Sequence, residues 1–442
     1  MSRTNNFTIS VIGTLLTKFV LVFLKMGVGV LTARLLGPAG RGFFYSSSQV
    51  PGLINTIGTL SIGEGLIYHI SKGDVKPYQV LGTVFIMVAG FTAILSAVLY
   101  LLEPLLSQYF LEELPEGIIP LIFLLIPVTM TEYFSTSALR GLKLFSVVNK
   151  LTIITRVNVL LLMFIALIFW STDVYTAVFA YTLALSLNAI LFFIVLFYQS
   201  KFNFSVSWKE LHNIIRYGTK AHIGTILTEV EYRLDIFILL FFLNTAAIGI
   251  YSIGVAMAQI LWYVSNSINT VLFPYLASSN GKDVDLFTAK ILKYTFFSNF
   301  LVLLGLILVG YPLVQLLYGR IFSEAYFIFL VLSPGLLSDS IARSLASWLK
   351  GTNRALALSK VSSISLVVNI LFCIILIPHW GVYGAAFSSV ISYTLRAVML
   401  TIMFCKITKI SLTQMFVFSE GELMRAKIVL IANIKKIFFN IL

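Results

Sequence analysis

The chain consists of long apolar runs separated by short polar segments. Twelve such runs fill residues 9–405, and a helix needs roughly 20 apolar residues to cross the hydrocarbon core of a bilayer. The pattern predicts an all-α polytopic membrane protein. Its twelve predicted transmembrane helices are residues 9–35, 43–69, 79–102, 117–138, 151–170, 174–198, 220–243, 247–273, 292–312, 325–348, 356–377 and 382–405.

A loose internal repeat relates the two halves of the chain. Gly42-Phe43-Phe44 corresponds to Gly249-Ile250-Tyr251, and Val174-Tyr175 corresponds to Val382-Tyr383, at offsets of 207 and 208 residues. Each half holds six predicted spans, an even number, so both halves would enter the membrane in the same orientation. Parallel repeats of this kind share a site at their interface. We therefore expect two six-helix lobes around a central cavity.

The repeat also predicts the domain organisation. We expect an N-terminal six-helix lobe, a cytoplasmic interlobe linker, a C-terminal six-helix lobe and a cytoplasmic basic amphipathic tail, which occupy residues 1–200, 201–219, 220–405 and 406–442. The tail mixes apolar residues with four cations within 424–442. That composition is typical of a helix lying on an anionic leaflet.

The charge pattern predicts the orientation. The net charge is +13 at pH 7 and only 11% of residues are charged, the mean hydropathy is +0.96, and a soluble domain would carry about 25% charged residues. When the spans are joined alternately, nearly all loop lysines and arginines fall on one side, and positive loops stay in the cytoplasm. We expect a multi-pass protein of the cytoplasmic (inner) membrane with both termini in the cytoplasm. The basic charge is thus a topology signal, and no nucleic-acid partner is expected.

Charged residues inside the predicted spans are the candidate site residues. An ionised side chain at bilayer depth costs at least ~2.5–3.5 kcal/mol, so it normally faces a water-filled cavity or a partner. Four cations could form a cavity for an anion: Lys18, Lys25, Arg156 and Arg233. Seven further charges are candidates for coupling or gating, or for static ion pairs between helices: Glu64, Glu132, Glu229, Glu231, Asp235, Asp339 and Arg343.

The predicted seventh span is the most highly charged. Glu229 and Arg233 are four residues apart and share one helical face, whereas Glu231 and Asp235 share another. A helix with charge on two faces must border water or lie between the lobes. Arg396 lies near the cytoplasmic end of its predicted span, where snorkelling to the interface would be sufficient.

Short motifs add a family resemblance. The segment Ala33-Arg34-Leu35-Leu36-Gly37-Pro38-Ala39-Gly40-Arg41-Gly42-Phe43, the segments Arg216-Tyr217-Gly218 and Tyr232-Arg233-Leu234-Asp235, and Leu349-Lys350-Gly351 resemble signatures of bacterial oligosaccharide-lipid flippases. These are the O-antigen and capsule repeat-unit translocases of the multidrug/oligosaccharidyl-lipid/polysaccharide exporter superfamily. The resemblance covers residues 3–405.

The resemblance implies a transporter rather than an enzyme, with no cofactor. Its substrate would be an undecaprenyl-diphosphate-linked oligosaccharide, moved across the cytoplasmic membrane by alternating access of a cationic cavity. The four cations would contact the diphosphate or an acidic sugar. Glu229 and Asp235 would hold Arg233 or carry a coupling proton or sodium ion, although membrane potential alone is an alternative. Polysaccharide assembly enzymes are further candidate partners, without a supporting motif.

Two other readings of the sequence belong to different functional classes. A cation-coupled multidrug exporter of the same superfamily would favour an acidic, aromatic cavity, which the embedded lysines and arginines argue against. A membrane-embedded polymerase or glycosyltransferase would need large loops bearing catalytic groups, and the longest extracytoplasmic loop is residues 103–116. An ATP-driven pump is excluded because the chain contains no phosphate-binding Gly-x-x-x-x-Gly-Lys-Ser/Thr motif.

Overall fold

The structure is a computed structural model that describes residues 2–59, 62–109, 117–200, 205–221, 223–263, 265–266, 282–352 and 354–417. Within these ranges, the side chains of residues 2–19, 50, 51, 53–55, 57, 102, 103, 105–109, 218–221, 223–225, 282–284, 351 and 355 are not described. The predicted tail helix beyond residue 417 therefore lies outside the described residues. So does the side chain of Lys18, one of the four candidate cations.

Every long regular element in the described part of the chain is an α-helix. The helices are α1 Ser2–Gly58, α2 Ile62–Lys72, α3 Pro77–Tyr109, α4 Ile118–Gly141, α5 Phe145–Phe169, α6 Val174–Gln199, α7 Trp208–Ala221, α8 Ile223–Phe242, α9 Thr245–Ala258, α10 Lys282–Leu317, α11 Glu324–Gly351, α12 Ala355–Thr408 and α13 Leu412–Phe416. The all-α class predicted from the apolar runs is thereby confirmed.

Two of these helices are broken by a glycine with positive φ. Gly37 interrupts α1 with φ 68° and ψ −175°, and Gly381 interrupts α12 with φ 55° and ψ −133°. Glycine adopts this backbone region without the steric cost that a side chain imposes. The chain reverses at the second break, since a Cβ on Gly384 would overlap the backbone of Leu376, eight residues earlier. Each break separates two consecutive predicted spans.

The described helices can be matched, segment by segment, with the twelve predicted membrane crossings. In the described residues, nine stretches are long and apolar enough to span a membrane. One of them, Leu356–Thr408, contains two predicted spans, and α8 is not among the nine because it carries four charges. Predicted span two corresponds to residues 38–58 of α1 together with α2. The helices are therefore compatible with twelve crossings, which remain a prediction.

The buried apolar residues form separate cores in the two halves. Two clusters contain only residues between Val28 and Ile214, and a third contains only residues between Phe287 and Phe416. The fourth belongs to the second half apart from three residues of α1, Val30, Ala33 and Tyr45. The halves thus meet along α1, which packs against α8 and α9.

Helix α7 belongs structurally to the first half. Its Leu211 and Ile214 are buried in the same cluster as Leu66 and Ile70 of α2. Tyr217 stacks on Tyr68 with a centroid separation of 4.7 Å. The segment that joins the halves therefore rests on the end of α2.

Candidate binding cavity

A large polar cavity lies between the two halves. Its volume is about 740 Å³. The walls come from α1, α2, α4, α5 and α6 on one side and from α8, α9 and α11 on the other, with four residues of the segment just after α9, Gln259, Trp262, Tyr263 and Asn266. This is the position that the internal repeat predicts for a shared site.

The cavity has two different ends. We call the end at the Gly37 break the glycine end and the end at α7 the linker end. Glu64 and Arg140, which line the cavity towards the linker end, are exposed. Arg41, which lines it towards the glycine end, is only 7% exposed. The cavity is therefore open at the linker end and closed at the glycine end.

Three of the four cations selected from the sequence lie in this cavity. Lys25, Arg156 and Arg233 line it together, and the side chain of Lys25 is exposed within it. The described lining contains six lysines and arginines, Lys25, Arg41, Arg140, Arg156, Arg233 and Arg343. It contains three carboxylates, Glu64, Glu132 and Glu229. The wall thus carries an excess of positive charge, which suits an anionic ligand.

Neighbouring residues fix the position of Arg233. Arg233 donates from Nη1 to Oε1 of Gln49 at 2.7 Å, so its described partner is Gln49 and not Glu229 or Asp235. A Cβ on Gly52 would lie 2.8 Å from the Arg233 Cζ, which means that the glycine makes room for the guanidinium. Arg156 and Tyr181 line the same cavity. Arg233 is therefore held at the wall by a neutral group and keeps its charge available.

Helix α8 has the two charged faces that the spacing predicts. Glu229 and Arg233 line the cavity, whereas Glu231 and Asp235 are 1% and 5% exposed within the second half. Asp235 accepts a hydrogen bond from the Tyr251 hydroxyl at 2.5 Å and one from its own helix backbone at Ile236. Among the described residues, no cationic side chain forms an ion pair with Asp235.

A buried ion network connects α8, α11 and α12. Arg396 pairs with Glu231 and, at 2.6 Å, with Asp339, which also pairs with Arg343 at 2.8 Å. The Tyr232 hydroxyl donates to Asp339 at 2.8 Å. Two arginines and two carboxylates thus neutralise each other inside the second half.

Arg396 corrects a sequence expectation. It does not snorkel to the interface but is 2% exposed, because carboxylates from α8 and α11 reach it in the helix core. The pair of Asp339 and Arg343, four residues apart, agrees with the static alternative. Arg41 falls between the first two predicted spans, residues 9–35 and 43–69, and would therefore lie in a loop. It is buried in α1 and donates to Thr32 at 2.7 Å and to Ser252 at 3.2 Å.

Arg343 links the network to the cavity. Its guanidinium lies over Trp262 at 4.3 Å and over Tyr232 at 4.7 Å from the ring centroids, and Nη1 donates to Asn266 at 3.1 Å. The aromatic wall around Arg343 could not be found from the sequence, because 37 Phe and 20 Tyr residues offer no signal for which rings line a cavity.

The described residues also contain a polar cluster outside the cavity, at the linker end. His69 Nδ1 lies 2.9 Å from Asp74 Oδ2 and 3.8 Å from Glu210 Oε2 of α7, and Lys72 lies 3.6 Å from Asp74. The hydrogen bond with His69 lowers the pKa of Asp74. These contacts help to hold α7 against α2.

A family model described as "Polysaccharide biosynthesis protein" matches residues 30–327. The chain belongs to this family. It is also similar to a protein of Haloferax volcanii named "Probable low-salt glycan biosynthesis flippase Agl15", with 20% identity over 197 residues. That match covers 44% of this chain, and the chain spans 42% of the length of this curated relative.

Solved transporter structures share the fold. The structure of "Lipid II flippase MurJ, inward closed conformation" aligns with a TM-score of 0.67 and 16% identity, over 98% of each chain. An inward-facing multidrug resistance MATE family transporter of the MOP superfamily aligns with a TM-score of 0.70 and 14% identity, over 88% of this chain and 94% of that one. The fold of this polysaccharide biosynthesis family member is therefore that of MOP-superfamily transporters, and the matched proteins are transporters and flippases rather than enzymes.

Proposed function

We propose that the protein is a flippase that moves an undecaprenyl-diphosphate-linked oligosaccharide across the cytoplasmic membrane for the synthesis of a polysaccharide such as O-antigen, capsule or exopolysaccharide. The observation that supports this most is the convergence of Lys25, Arg156 and Arg233 on one polar cavity between the halves. A diphosphate needs such cations, and guanidinium groups bind phosphate oxygens in a bidentate manner. The family and the glycan flippase of Haloferax volcanii support the substrate class.

The open end of the cavity fits loading from the cytoplasm. The basic loops predict that the linker end faces the cytoplasm, the side on which lipid-linked sugars would be presented. The sugar head and the diphosphate would enter the cavity while the lipid tail stays in the bilayer. The cavity would then close at the linker end and open at the glycine end, which is alternating access between two repeats.

Carboxylates provide candidates for energy coupling. Asp235 is buried beside Tyr251 and has no cationic partner in the described residues, so it is a candidate to bind a coupling proton or sodium ion. Glu64, Glu132 and Glu229 face the cavity and are candidates for gating. Glu231, Asp339 and Arg343 belong to the ion network, where a role in holding α8, α11 and α12 together is the simpler one.

The test is translocation in proteoliposomes. A labelled undecaprenyl-diphosphate oligosaccharide is placed in the membrane, and its exposure to an impermeant sugar-modifying reagent is followed with and without an imposed pH, sodium or voltage gradient. Protein-dependent exposure supports the proposal. The gradient that accelerates it identifies the energy source as protons, sodium ions or the membrane potential. Absence of movement with several sugar heads would contradict it and favour the multidrug exporter, which is tested on the same vesicles with a cationic amphiphile.

A further inference from the structure

The two halves touch backbone to backbone at the glycine end. A Cβ on Gly42 of α1 would overlap the carbonyl oxygen of Thr245 and lie 3.0 Å from the nitrogen of Gly249. Conversely, a Cβ on Gly249 of α9 would overlap the carbonyl oxygen of Pro38 and lie 3.0 Å from the nitrogen of Gly42. The contact is reciprocal, because Gly42 in the first half and Gly249 in the second half occupy equivalent positions of the repeat.

The reciprocity follows the internal repeat. Gly42 and Gly249 are 207 residues apart, and so are Pro38 and Thr245, which is the offset of the surrounding repeat motif. Equivalent residues of two repeats can touch each other only at the axis that relates the repeats. The glycine contact therefore lies on the pseudo-two-fold axis. Small residues allow two membrane helices to approach this closely.

Two arginines of the segment 33–43, Arg34 and Arg41, form hydrogen bonds across the same interface. Arg34 donates to the carbonyl oxygens of Leu316 at 2.6 Å and Leu317 at 2.9 Å, at the end of α10. The last carbonyls of a helix lack intrahelical partners and attract cations. Arg41 donates to Ser252 of α9 at 3.2 Å. Both arginines therefore join the first half to the second, on the closed side of the cavity.

We propose that the Gly42–Gly249 contact is the gate of the cavity at the glycine end, and that Arg34 and Arg41 control how often it opens. In the structure the gate is closed while the linker end is open. Opening requires the two backbones to part at the axis and the Arg34 and Arg41 hydrogen bonds to break. The inference rests on alternating access in the proposed function, and it concerns access to the cavity rather than the identity of the substrate.

The test measures access without a substrate. Ser48 lines the cavity, so Ser48→Cys, in a background with Cys373→Ala and Cys405→Ala, reports access when an impermeant maleimide is applied to either side of sealed vesicles. We expect labelling through the linker end in the parent. In Gly42→Ala and in Gly249→Ala, the added Cβ prevents closure, and labelling through the glycine end should rise about tenfold. The reciprocal contact predicts the same effect for both variants.

Matched glycine variants control for general disturbance. Gly90 and Gly305 have no heavy atom within 4 Å of a Cβ position, so Gly90→Ala and Gly305→Ala should label as the parent does. If the gate variants do not accumulate in the membrane, Arg34→Gln tests the gate instead. It removes the two hydrogen bonds to α10 without adding atoms at the glycine contact. It should raise glycine-end labelling several-fold.

The outcomes separate the gate from the transport proposal. Unchanged glycine-end labelling in the folded gate variants, or an equal rise in the Gly90 and Gly305 controls, would overturn the gate even if the protein translocates lipid-linked sugar. Selective labelling in the gate variants supports the gate even if the proteoliposome assay shows no movement of that substrate.

Discussion

The charges at the cavity wall and those inside the second half are arranged in opposite ways. Besides Arg343, which belongs to both regions, the wall has five cations against three carboxylates, and its Lys25 is exposed. In the network, Arg343 and Arg396 match Glu231 and Asp339, and Arg396 is 2% exposed. An uncompensated charge at membrane depth is tolerable only beside water or a ligand, whereas a paired charge can be buried. The comparison separates charges available to a substrate from charges that hold helices together.

The largest expected effect comes from breaking the network. Arg396→Leu leaves Glu231 and Asp339 buried without their shared cation, and removal of one partner of a buried ion pair costs about 3–5 kcal/mol. We expect much less folded protein and a clearly lower unfolding temperature in detergent. The combined change Arg396→Leu, Glu231→Gln and Asp339→Asn should recover part of the loss. A stable Arg396→Leu single variant would show that the network does not stabilise the fold.

Replacement of a cation at the cavity wall should change stability little and reduce transport strongly. Arg156 lies at the cavity wall and is not part of the buried ion network, so Arg156→Gln should change the free energy of unfolding by about 0.5 kcal/mol or less. Transport of the lipid-linked oligosaccharide should fall at least about tenfold, since a hydrogen bond to a charged group contributes about 1.5–3 kcal/mol. Initial rates in proteoliposomes measure this effect.

The same helix offers a matched control. Lys150 is exposed near the start of α5 and does not line the cavity, so Lys150→Gln should transport at the parent rate. Lys25→Ala and Arg233→Ala should behave as Arg156→Gln does. Equal rates for all four variants and the parent would mean that the wall cations do not contact the substrate.

The contrast between wall and network was only partly predictable from the sequence. Helical spacing separated Glu229 and Arg233 from Glu231 and Asp235, because residues on one helix have a fixed angular relation. It could not place Arg396, whose partners lie on α8 and α11, or Arg41, whose partner Ser252 lies in the other half. The apolar runs predicted the helices well, since span length follows from bilayer thickness. The position of each helix relative to the others depends on packing that no local pattern encodes.

Asp235 is a buried carboxylate that belongs neither to the cavity wall nor to the ion network. In Asp235→Asn the amide oxygen can still accept from Tyr251, so we expect at most about 1–2 kcal/mol loss of stability. If Asp235 binds the coupling ion, the dependence of translocation on a pH or sodium gradient disappears while movement down the substrate's own gradient persists. Asp339→Asn, in contrast, should lower stability more and leave gradient dependence in the protein that folds. Unaltered gradient dependence in Asp235→Asn would show that a group other than Asp235 binds the coupling ion.

The smallest expected effect concerns an ion pair in neither region, at the linker end. The pKa of Asp74 is lowered in the folded protein, chiefly by its hydrogen bond with His69. A lowered carboxyl pKa adds stability above the unfolded value, about 3.9 for Asp, and that stability is lost as pH falls through the folded value. The difference in unfolding temperature between the parent and Asp74→Asn should therefore be small and shrink as the pH falls below about 4. A difference that does not shrink below about pH 4 would show that the Asp74 carboxylate does not stabilise the docking of α7 on α2.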